Sequence, residues 1–222
     1  MQDAELWYKN GNCLVHLYRK GQSRRGPSFK VPFRALLAAK CHPLIERYVV
    51  WDANERPPAN MRPESLELWS QRNPMTRVEL YIPPPRKVNL EEGVRYHLAV
   101  RNFLAWIFRR SVVGEHLGTA LIGLFESMQA FRCSGEANEE DLIEYMDEEG
   151  YLDMRNQPVH ALAVLHLAEH FELRDPYIDA FVHCAGMNDQ LFQVPEYQVR
   201  PASLSYTLCP NDSDVIHSWS AL

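Results

Sequence analysis

His166-Leu167-Ala168-Glu169-His170 matches the inverted zinc-hydrolase pattern H-x-x-E-H. Histidines at i and i+4 share one face of a helix and can hold one zinc ion, with the glutamate between them as general base. At about 100° per residue from Val164, His166 falls near 200° and His170 near 240°. Val164 and Phe171 mark the apolar face, so the pattern places both histidines on the polar face of a surface helix. A hydrolase of this kind also needs a third ligand well downstream, and only 52 residues follow His170. His166 and His170 therefore define an alternative reading, a zinc-dependent hydrolase. The favoured expectation is no metal, no cofactor and no catalysis.

Other chemistry is thinner. Cys13, Cys41, Cys133, Cys184 and Cys209 are odd in number and form no C-x-x-C pair, which reads as reduced, buried thiols. His183, Cys184 and Cys133 are soft donors without a zinc spacing, so Cys133 and Cys184 are expected in the core. G-x-S-x-G, a P-loop and G-x-G-x-x-G do not occur, and ten glycines in 222 residues are few for a phosphate-binding enzyme. Arg24-Arg25-Gly26-Pro27-Ser28 has the form of a basophilic kinase site.

Charge is unevenly placed. Arg19, Lys20, Arg24, Arg25 and Lys30 lie in twelve residues without an acid. Residues 133–153 hold nine acids and no Lys or Arg, among them Glu139, Glu140, Glu148 and Glu149. Each run is at least a solvated face; together they offer complementary contact with a partner or a second copy. The whole chain carries 29 acids against 23 bases, net −6, which argues against bulk binding to nucleic acid or an anionic membrane. The longest run without Asp, Glu, Lys or Arg is thirteen residues, 156–168, short of a membrane span. The acidic start, Met1-Gln2-Asp3-Ala4-Glu5, does not read as a signal peptide. A cytoplasmic or nuclear location follows as the expectation.

The elements that must position these groups are legible in part. Cys13, Val15 and Leu17 alternate with Leu14, His16 and Tyr18, and residues 28–31 supply a second strand, so the two form a hairpin across 19–27. Pro32 opens a helix that Pro43 ends, and residues 44–50 read as another. Residues 52–76, with four prolines, read as a surface loop with one helical turn near 64–69. Val78, Leu80 and Ile82 form a strand that Pro83-Pro84-Pro85 stops. Asn89 with Glu92 is a capping box ahead of Tyr96, Val100, Phe103 and Ile107. Leu117 to Phe131 carries a continuous apolar stripe. Asn138 reads as the cap of a helix ending at Gly150, Pro158 opens a helix to Glu172, and Asp175 reads as the cap of a helix to Cys184. Residues 198–222 show no period. The sum is an α+β domain, a small three-stranded sheet with a dominant cluster of about six helices.

This order resembles a BTB/POZ domain. Leu14–Leu17 through Phe29–Ala38 looks like that family's strand-turn-strand-helix opening, Val94–Phe108 like its third helix, and Ala163–Asp175 like its fourth helix leading into its fifth. Gln22–Ser28, His97–Phe103 and Asp179–Cys184 further resemble a filamentous-fungal family of BTB-like proteins. The resemblance implies a BTB/POZ-like domain over 5–197, with 52–76 and 111–157 as insertions and 198–222 as an irregular tail where relatives continue in helices. It also implies a non-catalytic protein-interaction module, either self-associating (a homo-oligomer) or an adaptor or scaffold for other proteins. A ubiquitin-ligase substrate adaptor is the narrower alternative. The expected contacts are Arg19, Lys20, Arg24 and Arg25 on one side and Glu139, Glu140, Glu148 and Glu149 on the other, with no nucleic acid and no membrane as partner.

Overall fold

The fold of the chain is taken from a computed structural model that describes residues 2–52, 56–58, 61–133 and 137–199. The expectations for residues 200–222, with Cys209 among them, and for residues 134–136 of the acidic run lie outside the described residues. The architecture is mixed α+β, with one four-stranded sheet and nine α-helices among the described residues. The chain divides into two compact units, Met1–Val112 with Gly123–Leu142, and Val113–Ile122 with the residues from Ile143 onward.

In the first unit, β1 (Cys13–His16) and β2 (Phe29–Val31) form the expected hairpin, and α1 (Phe33–Ala38) and α2 (His42–Tyr48) follow. Next come β3 (Val49–Trp51), α3 (Pro63–Arg72) and β4 (Val78–Tyr81). The sheet runs β2-β1-β4-β3: β2 pairs β1 antiparallel, β1 pairs β4 in parallel, and β4 pairs β3 antiparallel. Two expectations are corrected here. Val49–Trp51 is a strand, not the end of a helix, because β4 offers it a partner and its β-branched valines suit a pleated edge. Residues 63–72 form a full helix, because Pro63 sits at a first-turn position where its missing N–H costs nothing.

Cys13, Val15, Val78 and Leu80 bury one face of the sheet, with Phe33, Leu36 and Leu44 from the helices also in the core. The long helix α4 (Leu90–Ile107) starts at the capping box read from the sequence: Asn89 accepts from the Glu92 N–H, and Glu92 accepts from the Asn89 N–H. Gly11 is required by close approach, since a Cβ there would lie 2.9 Å from the backbone of Lys30 and Val31.

The second unit contains the start of α5 (Leu117–Phe131), the end of α6 (Asn138–Glu148), and then α7 (Pro158–Phe171), α8 (Arg174–Gly186), α9 (Asn188–Leu191) and a 3-10 turn, Pro195–Val199. Leu121, Met146, Leu162, Val164, Leu165, Leu167 and Cys184 are buried in it. Asn138 is the first helical residue of α6 and not its cap; its side chain accepts from Arg132 instead. Asp175 is likewise inside α8, which Leu173 precedes as N-cap. Residues 198 and 199 belong to the 3-10 turn and not to an irregular tail.

The apolar stripe of α5 gives a direct check. Leu121 is fully buried, whereas Glu126 on the same helix is exposed. An uncompensated carboxylate at Leu121 costs several kcal/mol, comparable with the stability of a whole domain. Leu121→Asp is expected to abolish the helical circular dichroism signal, and Glu126→Lys to change stability by less than about 0.5 kcal/mol. Equal losses in the two variants would contradict the assignment.

Candidate functional site

The β1–β2 connection projects Arg19, Lys20, Arg24 and Arg25, all exposed and none in an ion pair with a described residue. A twelve-residue hairpin connection needs internal support, and local hydrogen bonds supply it. The Gln22 N–H donates to the Arg19 carbonyl at 3.0 Å, with Gly21 at φ 79°, the left-handed conformation that the third position of a type II turn demands. The Arg19 N–H donates to the Gln22 side-chain oxygen, and the Arg25 N–H to Ser23 Oγ at 3.1 Å.

The foot of this loop is an aromatic cluster on the sheet face opposite the core. The parallel register sets His16 beside Tyr81, and their rings stack at 4.4 Å and 6°. Tyr18 donates its hydroxyl proton to the Gly26 carbonyl at 3.2 Å, so His16 Nδ1 carries the proton it shares with the Tyr18 oxygen at 3.0 Å. That tautomer leaves Nε2 of His16 a buried acceptor without a partner. Burial holds His16 below its ordinary 6.5; the Glu79 charge opposes this and Arg77 adds to it. Glu79 accepts from Tyr81 and Arg77, each at 2.7 Å. Burial raises its pKa, but these donors outweigh burial and leave it below 4.5. Burial and the Glu79 carboxylate push the Tyr81 phenol up to about 12. The arrangement is a hydrogen-bonded aromatic base, its Glu79 carboxylate offset by Arg77, under four exposed cations whose chemistry suits carboxylate or phosphate groups.

The acidic residues are distributed differently. Glu139 and Glu140 are exposed in the first turn of α6, where negative charge suits the helix dipole. Glu148 and Glu149, at its other end, already have interactions within the chain.

Two further groupings were not legible in the sequence. Cys133 is half-exposed, not a core residue as expected, and its Sγ lies 3.7 Å from Nδ1 of His42. His42 also lines a pocket of about 300 Å³ with Ile45, Val49, Trp51, Met61 and Leu66. Burial pushes the Cys41 and Cys184 thiols up to about 12 and Cys13 higher still.

In the second unit, α7 is buried on nearly every side, so its histidines do not share the open polar face expected of them. His170 is exposed, but His166 is half-buried with its Nδ1 lacking a partner. A Cβ at Gly118 would lie 3.2 Å from that Nδ1 and from the Ala163 Cα, so the missing side chain admits the ring. His116, also with an unpartnered Nδ1, precedes α5, and the buried Glu196 carboxylate accepts from the Leu117 N–H at 3.1 Å. Burial first, then the charges of His170 and His116, lower His166 below 6.5 against the opposing pull of Glu169. Among the described residues no three His, Cys, Asp or Glu side chains converge as metal ligands.

A family model described as a domain of unknown function (DUF8004) matches residues 139–204, under a third of the chain. The match spans the H-x-x-E-H helix and stops short of the basic hairpin. No curated protein and no solved structure matches the chain. Among the described residues no helix is long and apolar enough to cross a membrane.

Two outcomes follow from the geometry. His42 can accept the thiol proton of Cys133, so iodoacetamide is expected to alkylate Cys133 before Cys13, Cys41 and Cys184, and His42→Ala to slow it; peptide mapping reads the order. His16, His97 and His166 all have lowered pKa values with burial as the first cause. The unfolded chain therefore takes up protons at higher pH than the fold does, and stability falls as pH drops below the ordinary histidine value. The melting temperature is expected to fall between about pH 7.5 and about pH 5.5, and to fall less in His166→Gln.

Proposed function

We propose that this chain is a non-catalytic protein-interaction module, BTB/POZ-like in its opening, that associates with a second copy of itself through oppositely charged surfaces. The supporting observation is the hairpin: four exposed cations without ion pairs among the described residues, held out on a stacked and hydrogen-bonded base. Glu139 and Glu140 are the complementary anions. Both surfaces belong to the first unit. The strand-strand-helix-helix opening and the long α4 keep the order on which the BTB/POZ resemblance rests, with β3 and α3 added between. The buried, free thiols of Cys13, Cys41 and Cys184 suit a reducing compartment, cytoplasm or nucleus.

Contact between exposed charges is screened by salt, since the Debye length falls from about 10 Å at 0.1 M to about 3 Å at 1 M. Light scattering across a concentration series is expected to show association at low salt that is lost at high salt. It should weaken in Arg24→Glu/Arg25→Glu and recover when that variant is mixed with Glu139→Lys/Glu140→Lys. Association that resists salt would point instead to apolar contact through exposed Leu90 and Val94, one turn apart on α4. A strict monomer under both conditions would overturn self-association.

A further inference from the structure

We propose that Ser23 is a phosphate acceptor for basophilic protein kinases, and that the motif serine, Ser28, is not. The sequence pattern favours Ser28 through Arg24 and Arg25, but the fold withholds it. The Ser28 N–H donates to the Val15 carbonyl at 2.8 Å, and its own carbonyl accepts from the Asp3 N–H at 3.1 Å. Ser28 is thus tied on both sides where the hairpin begins to pair, directly before Phe29 opposite Val15. A kinase cleft takes its substrate as an extended, unpaired segment, so reaching Ser28 requires opening β1 from β2.

Ser23 is placed differently. It lies within the loop, outside any strand, flanked by exposed Gln22 and Arg24. Its Oγ makes one local contact, accepting from the Arg25 N–H. Cations stand on both sides of it, Arg19 and Lys20 before and Arg24 and Arg25 after, with no acid between 19 and 30. That is the charge pattern an acidic substrate groove reads. In the transfer, the Oγ–phosphorus bond forms and the bond from the γ-phosphorus of ATP to the β–γ bridging oxygen breaks. ADP leaves, and the hydroxyl proton passes to the carboxylate base of the kinase. The product carries about −1.5 to −2 charges among four cations, cancelling close to half of the positive charge of the loop. The acceptor assignment stands independently of the self-association reading; if the hairpin docks an acidic surface, the same phosphate weakens it.

The test uses the full chain with magnesium-ATP and two purified kinases, one that reads cations before the serine and one that reads them after it. Phosphate is located by fragment mass spectrometry in the wild type, Ser23→Ala and Ser28→Ala. The expected result is phosphate on Ser23 in the wild type and in Ser28→Ala, and its loss in Ser23→Ala. Phosphate on Ser28, incorporation undiminished in Ser23→Ala, or none from either kinase would overturn the proposal.

Discussion

A guanidinium ion taken out of water needs its hydrogen bonds replaced, and the first unit is arranged around the one on Arg132. Its side chain is only 6% exposed. Nε donates to the Ala39 carbonyl at 3.1 Å, and Nη1 to Asn138 Oδ1 and to Asp141 Oδ2, each at 2.6 Å. The plane lies 4.9 Å from the centre of the Trp106 ring. One residue just past α5 therefore fixes the end of α1, a ring of α4 and the start of α6. Removing a partner would leave a buried guanidinium short of a hydrogen bond, so the four elements hold their places together. The thiol–imidazole pair follows from the same anchor. Arg132 grips Ala39, and the next residue, Cys133, is thereby carried to His42, three residues past Ala39.

Arg101 does the same for the sheet edge. Its guanidinium, 7% exposed, binds Asp3 at 3.2 Å, the Glu5 carboxylate, and the Ser111 carbonyl at 2.7 Å. This holds the N-terminal segment in place, and that segment covers β2: the Tyr8 N–H donates to the Lys30 carbonyl, the Lys30 N–H to Leu6, and Trp7 bridges Lys30 in parallel. An edge that would otherwise offer unpaired backbone groups is closed by Leu6 to Tyr8, a segment anchored by two acids five residues or fewer away.

What was legible in the sequence was local. The capping box of α4 needs only Asn89 and Glu92, and the stripe of α5 only its own period, so both were readable. β3 was not, because three residues become a strand only when β4 lies beside them. Nor was the start of α6, where Asn138 has the chemistry of a cap but is spent on Arg132, a partner that only the fold brings to it. The histidines of α7 misled for a related reason. A helical-wheel argument presumes one buried face, and α7 is packed nearly all round, so an angle opposite Val164 meant solvent for His170 at the helix end but not for His166 one turn earlier.

The candidate site divides along the same line. Its cations are a matter of composition and stood out in the sequence, whereas its foot depends on register. His16 meets Tyr81 only because β1 and β4 pair in parallel with those two residues opposite each other. A slip of one residue between β1 and β4 would turn His16 and Tyr81 to opposite faces of the sheet and break their stack. Register on the core side is set by Cys13 and Val15 against Val78 and Leu80, all buried. Core packing on one face of the sheet therefore determines the stack on the other, and the stack, through the Tyr18 hydroxyl on Gly26, determines where the loop returns. The position of four surface charges is in this way a consequence of apolar burial beneath them.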